Sequence, residues 1–160
     1  MIQQQKISPY LWFNDQAEEA AGFYTSLFPN SRINDVARMG EGGQVMTVSF
    51  DLGGLTFTAL NGGPQFTFNE AVSFVVNCET QEEVDRYWNA LIANGGEESM
   101  CGWLKDRYGL SWQIIPEALM RMLTDKDPQR ANAVMNAMLQ MRKIEVPLLQ
   151  EAYDSVAVPA

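Results

Sequence analysis

The chain has 160 residues and a mass of 18.0 kDa, a length typical of one domain or of two small fused modules. Hydrophobic residues make up 46% of it and charged residues 19%, which favours a globular core over disorder. The formal net charge of −9 argues against nucleic acid and membranes as partners, because their phosphates repel an acidic chain. Histidine is absent, which excludes imidazole bases and removes the commonest metal ligand.

Cysteine usage and the N-terminal residues bear on where the protein resides. The two cysteines, Cys78 and Cys101, form no CxxC pair, so neither a zinc knuckle nor a thioredoxin-like site is predicted. The first residues lack the apolar segment of a signal peptide, and no apolar run approaches the roughly 18 residues of a membrane helix. We therefore expect a soluble, cytoplasmic protein with reduced thiols.

An internal repeat organises the chain. Residues 18–30 and 82–94 share two glutamates, a pair of aromatic residues, a pair of large apolar residues and an asparagine, at a constant spacing of 64 residues. Each copy predicts a strand, at 8–14 and 72–78, followed by an amphipathic helix with apolar residues at i, i+3, i+4 and i+7. Thr80 and Glu83 predict a capping box, and Asp15 with Glu18 resembles one.

Three predicted strands follow each helix. A second correspondence sets residues 54–58 over 109–113 with a spacing of 55, so a connection in the second copy is nine residues shorter. We place this loss in the loop equivalent to residues 40–44. The predicted strands are 32–39, 44–52 and 55–61 in the first copy, and 97–100, 101–106 and 111–116 in the second.

The region after residue 116 has no counterpart in the first copy. It predicts helices at 117–123, 127–141 and 147–153. The sequence therefore predicts an α+β fold in a single domain, 1–160. Its parts are module one at 6–62, module two at 70–116 and a C-terminal helical extension at 117–155.

The strands predict two contrasting sheet faces, because side chains alternate across a strand. One face is apolar and needs helices to cover it; it comprises Tyr10, Trp12, Met46, Val48, Phe50, Phe57, Phe74, Val76, Trp112 and Ile114. The other mixes hydroxyl, amide and aliphatic groups; it comprises Leu11, Phe13, Thr47, Ser49, Thr56, Thr58, Leu60, Ser73, Val75, Ser111, Gln113 and Ile115.

This mixed face predicts a semi-polar cleft for a small molecule, with Trp103, Phe66 and Phe68 near its entrance. Loop anchoring is the alternative role for these three aromatic residues. The alternative for the face itself is burial in a dimer or beneath the C-terminal helices.

Two further groups are candidates for chemistry. Cys101 is a possible nucleophile, with Lys105 or Arg107 to lower its pKa; the alternative is a packed thiol beside a tight turn. Asp106 with Lys105 is a possible acid–base pair, and the alternative is a structural pair in a hairpin. The methionines between residues 120 and 141 are interpreted as packing of the extension on the modules or across a dimer.

Several motifs together are similar to a known family. They include PYLWF at 9–13, AEEAAGFY at 17–24, CGWLKD at 101–106 and GLSWQ at 109–113. The chain resembles the PhnB-like branch of the vicinal oxygen chelate (glyoxalase/bleomycin-resistance/dioxygenase) superfamily, a branch labelled 3-demethylubiquinone-9 3-methyltransferase-like. The resemblance implies two βαβββ modules that form an eight-stranded, incompletely closed barrel, usually as a homodimer.

The resemblance also locates the metal positions of the metal-dependent members, which use His or Glu there. The corresponding residues are Pro9, Thr58, Ser73 and Gln113, which offer neither imidazole nor carboxylate, so we expect no metal and no cofactor. The glycine pair at 62–63 follows a strand but leads into no predicted helix, unlike the usual turn for a methyl donor.

The sequence thus predicts a metal-free small-molecule-binding protein of this superfamily. One alternative is an enzyme, either a methyltransferase acting on a quinone precursor or a glyoxalase-type lyase. A second alternative is a dimeric interaction protein whose cleft is filled by side chains.

Overall fold

The computed structural model describes residues 5–157, so residues 1–4, where we expect no signal peptide, lie outside the described part. The described residues form two compact units, which divide between Phe68 and Asn69. The single-domain organisation stays a prediction. Among residues 5–157, no helix combines the length and the hydropathy needed to cross a membrane.

The first unit contains one βαβββ module. Its elements are β1 (Tyr10–Phe13), α1 (Ala17–Leu27), β2 (Arg32–Arg38), β3 (Val45–Leu52) and β4 (Leu55–Asn61). The strands form an open sheet in the order β1-β4-β3-β2, in which β1 runs parallel to β4 and the other pairs are antiparallel. The α1 helix covers the face that carries Val48, Phe50 and Phe57, and its own Tyr24 is fully buried.

The second unit repeats this module and adds three helices. Its elements are β5 (Ser73–Cys78), α2 (Gln81–Ile92), β6 (Glu97–Glu98), β7 (Trp103–Lys105), β8 (Ser111–Pro116), α3 (Glu117–Leu123), α4 (Pro128–Met138) and α5 (Val146–Asp154). The sheet order β5-β8-β7-β6 matches that of the first unit position by position. These elements confirm the predicted α+β fold of two βαβββ modules with a C-terminal helical extension.

The second hairpin is shorter than predicted. The strands expected at 97–100 and 101–106 are only β6 and β7, of two and three residues. Cys101 and Gly102 both have positive φ, 59° and 84°, and this left-handed turn interrupts the extended backbone. The missing nine residues therefore shorten the strands as well as the loop between them.

The two module helices begin in different ways. In α2 the predicted Thr80 cap forms, since Thr80 Oγ1 accepts the Glu83 N–H at 3.1 Å. The return bond differs from a standard capping box: Glu83 Oε2 accepts the N–H of Glu79, the residue before the N-cap, at 2.7 Å. In α1 the Asp15 box does not form. The Ala17 N–H donates instead to Asn61 Oδ1 at 2.8 Å, so the last residue of β4 caps this helix.

The extension has its own hydrophobic core, built on the end of β8. That core comprises Ile115, Leu119, Met122, Val134, Met141, Ile144 and Leu149. The methionines of the extension differ in burial: Met122 and Met141 are buried, whereas Met120 is 52% exposed and Met135 is 39% exposed. The interpretation as packing groups is confirmed for Met122 and Met141, and Met138 also packs against this core. For Met120 and Met135, packing across a dimer stays a prediction.

Candidate functional site

The open face of the first sheet gathers most of the hydroxyl groups that the sequence assigns to it. Thr58 of β4 lies between Tyr10 of β1 and Ser49 of β3. One step along, Leu60 lies between Trp12 and Thr47. Thr56 shares this face, and its Oγ1 donates to Asp51 Oδ1 at 2.7 Å. The side chains that β3 and β4 contribute to this open face are partly buried; they are Thr47, Ser49, Thr56, Thr58 and Leu60.

The prediction for β1 is wrong by one residue. Leu11 and Phe13 are only 6% and 3% exposed, because Leu11 pairs with Ala59 and both residues point toward the helix-covered face. Tyr10 and Trp12 take their place on the open face. The reason is that the strand Tyr-Leu-Trp-Phe is apolar throughout, so no alternation in the sequence fixes which face each residue takes.

A glycine pair shapes the wall around Trp12. The indole Nε1 donates to Gly63 O at 2.9 Å, and any side chain at Gly62 would collide with the indole ring. Phe66 packs edge-on against Trp12, with ring centroids 4.9 Å apart, and Phe68 packs edge-on against Phe13 at 5.2 Å. The glycines thus serve aromatic packing and lead into an irregular segment, as the sequence predicts.

The open face of the second sheet carries the predicted amide and hydroxyl groups. Gln113 of β8 lies between Val75 of β5 and Trp103 of β7, and its Nε2 donates to Ser73 Oγ at 2.9 Å. Val75 is 51% exposed. Ile115, at the end of this face, is buried in the core of the extension, so the site ends at Gln113.

Ser111 is the least accessible hydroxyl on this face. It lies between Ser73 and Lys105 on the neighbouring strands and is 1% exposed. Its Oγ has no hydrogen-bond partner within the described residues. Such a buried hydroxyl carries a desolvation cost of about 1–3 kcal/mol until a ligand atom or a water molecule reaches it.

The charged residues nearby are committed to structural contacts. Lys105 forms an ion pair with Glu70, which lowers the pKa of the Glu70 carboxyl and raises that of the Lys105 ammonium. Asp106 is 2% exposed and accepts hydrogen bonds from the backbone of Tyr108 and Leu110 and from the indole of Trp112, at 2.9, 3.0 and 2.9 Å. Both residues fit the structural alternative better than acid–base work.

The two thiols also sit in structural positions. Burial, reinforced by the nearby Glu83, raises the pKa of the Cys78 thiol to about 12, which suppresses its nucleophilic thiolate form. Cys101 begins the left-handed turn, and its N–H donates to Met141 O at 2.8 Å. This geometry places Cys101 beside a tight turn, and the residue is partly buried.

The four superfamily metal positions do not fit a divalent ion. The Thr58 N–H donates to Pro9 O at 3.0 Å, and Gln113 binds Ser73, so each unit brings its two positions together. None of the four side chains is an imidazole or a carboxylate, and the Gln113 amide donates a hydrogen bond to Ser73. In the part of the chain that the structure describes, no three His, Cys, Asp or Glu residues cluster as metal ligands.

A pocket of about 500 Å³ lies in the first unit, where the sequence analysis predicts none. Its lining contains none of the twelve predicted cleft residues; the polar and thioether groups that line it are Asn14, Asp15, Glu18, Met39, Gln44, Met46 and Asn61. Apart from Asn61, which ends β4, these come from the start of α1 and from the β2–β3 hairpin. The one signal in the sequence is the extra length of this hairpin relative to its counterpart in the second copy.

The paired βαβββ modules have the fold of the vicinal oxygen chelate superfamily. The chain belongs to the family described as 3-demethylubiquinone-9 3-methyltransferase, whose sequence model matches residues 5–115. Both findings confirm the resemblance seen in the sequence. The extension after residue 116 lies outside the matched residues.

Solved structures share the fold of this chain. A putative 3-demethylubiquinone-9 3-methyltransferase, PhnB protein, from Bacillus cereus is 38% identical over 70% of this chain and 99% of that chain, with a TM-score of 0.65. Protein PA1353 from Pseudomonas aeruginosa is 22% identical over 71% and 98%, with a TM-score of 0.57. The fosfomycin resistance protein FosX from Listeria monocytogenes is 17% identical over 78% and 100%, with a TM-score of 0.57, and shares the fold. No curated protein matches the chain.

Proposed function

We propose that the chain binds a small molecule through uncharged hydrogen-bonding side chains on its open sheet faces, without a metal ion. The observation that carries this proposal is the buried, unpartnered hydroxyl of Ser111 beside the Ser73–Gln113 hydrogen bond. A polar group is seldom left in this state, because its desolvation is uncompensated until a partner arrives. A ligand with a hydrogen-bonding oxygen or nitrogen supplies that partner.

The neighbouring groups favour a ligand of mixed polarity. Gln113 and Ser73 offer an amide oxygen and a hydroxyl, whereas Trp103 and Val75 flank Gln113 with apolar surface. In the first unit, Thr58 and Ser49 likewise lie next to Tyr10 and Leu60. Neutral donors with aliphatic and aromatic neighbours are typical of small-molecule sites.

The methyltransferase alternative follows from the family description and finds little support in the residues. Methyl donors of the nucleotide type are usually held by a glycine-rich turn that opens a helix. Here Gly62 and Gly63 pack against Trp12 and no helix follows them. The lyase alternative needs a base, and the nearby candidates Asp106 and Lys105 are already engaged.

The alternative, a dimeric interaction protein, also requires a dimer in solution, but it requires no bound small molecule. We infer a cytoplasmic homodimer, supported by the two free thiols and by exposed apolar residues such as Ile7 at 85% and Val72 at 64%. Sedimentation equilibrium tests the dimer. A dimer that carries no small molecule under any purification condition would favour the interaction protein.

Native mass spectrometry of the purified chain tests the proposed function. We expect an additional small organic mass on the wild type and less of it on Ser111→Ala. With the ligand removed, Ser111→Ala should be more stable than the wild type by about 1 kcal/mol, because the uncompensated hydroxyl is gone. Ser99→Ala, an exposed hydroxyl of the same unit, is the matched control and should change neither result. Equal ligand occupancy in both variants would contradict the proposal.

A further inference from the structure

We propose that the small molecule bound on the second sheet carries a carboxylate, which displaces Glu70 from Lys105 and reaches the buried hydroxyl of Ser111. The site is that of the proposed function, on which this inference rests. What is added is the chemical class of the ligand, one charged group beside the uncharged ones, and a contact of the chain itself that opens to admit the ligand. Glu70 thus acts as an internal competitor for the ligand carboxylate.

The ion pair between Glu70 and Lys105 crosses the strand that carries Ser111. In the order β5-β8-β7-β6, β5 and β7 flank β8, and Ser111 is the residue of β8 that pairs with both Ser73 and Lys105. Paired residues of neighbouring strands point to the same face, so the Lys105 side chain leaves the sheet beside Ser111. Glu70 lies three residues before Ser73, on the β5 side. The contact between its carboxylate and the Lys105 ammonium therefore closes over the Ser111 end of the face.

This covering contact is exposed and easily exchanged. The side chain of Glu70 is 59% exposed and that of Lys105 is 35% exposed, and ion pairs in such positions add little to the stability of a protein. Ser111 beside it is 1% exposed, and its Oγ has no hydrogen-bond partner within the part of the chain that the structure describes. A ligand carboxylate that replaces Glu70 keeps the ionic contact with Lys105 and in addition satisfies the hydroxyl of Ser111.

The hydrogen-bond donors around Ser111 favour an anion. Gln113 Nε2 donates to Ser73 Oγ at 2.9 Å, so Ser73 is the acceptor in that bond and its own hydroxyl hydrogen can be directed to a ligand. The Ser111 hydroxyl and the Lys105 ammonium are further donors on the same face. A carboxylate accepts several such hydrogen bonds and matches the charge of the ammonium, whereas a ligand ammonium would be repelled by Lys105.

A second carboxylate, that of Glu97, lies on the other side of Lys105. Glu97 pairs with Lys105 across β6 and β7, so it stands one strand further from β8 than Lys105 does. It is therefore not the group that the ligand displaces. The net charge of −9 repels anions at long range, so the affinity for a carboxylate must come from the short-range contacts at Lys105 and Ser111 and from the body of the ligand.

The next step along the face indicates what that body is. Gln113, two residues after Ser111, lies between Val75 and Trp103, and Val75 is 51% exposed. Two residues of a strand advance by about 7 Å, a length that 3-phenylpropanoate spans between its carboxylate and its ring. An arylalkanoate of this size places its carboxylate at Lys105 and its ring against Trp103 and Val75.

A titration of the full chain, labelled with ¹⁵N, with 3-phenylpropanoate tests this inference. We expect saturable amide shifts at residues 73–75, 103–105 and 111–113, with roughly millimolar affinity for so small a ligand. The affinity should fall as salt is added. 3-Phenylpropanamide and 3-phenylpropylammonium keep the ring but replace the carboxylate, and each should bind at least about tenfold more weakly.

Three charge variants make the test specific. Glu70→Gln should tighten the binding of 3-phenylpropanoate about fivefold, because the internal competitor is gone and the open form is more populated. Lys105→Gln should weaken it at least about tenfold. Glu82→Gln makes the same charge change as Glu70→Gln on an exposed residue of α2, and it should bind as the wild type does. A gain of affinity in Glu70→Gln is a result that damage to the fold does not produce.

The outcomes separate this inference from the proposed function. Unchanged or weaker binding in Glu70→Gln, equal affinities for the carboxylate and the amide, or no shift in either the wild type or Glu70→Gln would each overturn the inference. The proposed function is judged by the mass that co-purifies with the wild type and by its dependence on Ser111. An uncharged molecule bound in a Ser111-dependent way would support that function and reject the carboxylate.

Discussion

The two units share the βαβββ module and its strand order, but the start of the module helix is open in the first unit and covered in the second. In the first unit a longer hairpin and the start of α1 border an open pocket of about 500 Å³. In the second unit a shorter hairpin leaves the start of α2 to be covered by residues 141–146, held by Gln81 and Lys143. A duplicated fold thus acquires one open and one closed copy of the same place through changes in hairpin length and an added C-terminal segment.

A second difference concerns equivalent hairpin carboxylates, Asp51 and Asp106, which correspond at the spacing of 55. Asp51 is partly exposed and accepts hydrogen bonds from Asn34 and Thr56. Asp106 is buried and accepts hydrogen bonds from backbone N–H groups and from Trp112. The residue at the Trp112 position of the first unit is Phe57, which needs no acceptor. The carboxylate is therefore structural mainly in the second unit.

Truncating a side chain at the covered place of the second unit should lower the free energy of unfolding far more than truncating one at the open place of the first unit. Ile144→Ala removes a fully buried side chain and should cost about 2–5 kcal/mol in the free energy of unfolding. Met46→Ala truncates a side chain that is 41% exposed at the pocket and should cost less than about 1 kcal/mol. Urea denaturation of both variants measures the difference, and similar costs would show that residues 141–146 do not seal the second unit.

The hairpin carboxylates provide the next largest contrast. Asp106→Asn should cost about 1–3 kcal/mol, because an amide nitrogen cannot accept the Trp112 indole N–H and leaves it buried without a partner. Asp51→Asn, in a partly exposed position, should cost about 1 kcal/mol or less.

The first unit supplies the rescue for this experiment. Trp112→Phe, the residue found at the equivalent position 57, removes the indole donor and should recover part of the loss when combined with Asp106→Asn. Thermal unfolding of the single and double variants forms a double-mutant cycle. Strictly additive costs would mean that the hydrogen bond does not couple the two side chains.

The helix caps differ more subtly. Asn61→Ala removes the long-range cap of α1, and Thr80→Ala removes the local cap of α2; each should cost about 1 kcal/mol. Because Asn61 also donates to Val45 O, its variant should in addition speed amide exchange at the start of β3. Hydrogen exchange checks this, and protection lost only within α1 would limit Asn61 to a capping role.

The smallest contrast is in the dependence of stability on pH. Hydrogen bonds, mainly from Thr56, lower the pKa of Asp51 below its ordinary 3.8, and Lys143 does the same for Asp85. A lowered pKa gives stability that is present above about pH 4 and is lost as the pH falls through the pKa of the folded state. Asp51→Asn and Asp85→Asn should both flatten this loss.

Salt separates the two causes. Added salt should reduce the stabilisation by Asp85 more, because its main partner is the Lys143 ammonium, whereas the first two partners of Asp51 are neutral. Urea midpoints between neutral pH and about pH 3, at low and high salt, provide the measurement. Equal salt sensitivity would indicate that Arg32 governs Asp51 instead.

Local patterns in the sequence predict much of the fold. The repeat at a spacing of 64 locates both module helices, and the spacing of Thr80 and Glu83 identifies a cap that forms. In the second unit, alternation correctly groups Ser73, Ser111 and Gln113 on one face.

Features set by contacts distant in sequence are the ones that sequence patterns miss. The face of Leu11 depends on the pairing of β1 with β4, because its strand is uniformly apolar. The cap of α1 comes from Asn61, 44 residues away from Ala17. The pocket arises where the hairpin meets the start of α1, and neither element alone contains a ligand motif.

Equilibrium dialysis of the purified chain against Mn²⁺, Ni²⁺ and Zn²⁺ tests the central claim most directly. Neutral donors at Pro9, Thr58, Ser73 and Gln113 predict no stoichiometric binding of any of the three ions, and no difference between the wild type and Gln113→Leu. One tightly held ion per chain, lost in Gln113→Leu, would contradict the account.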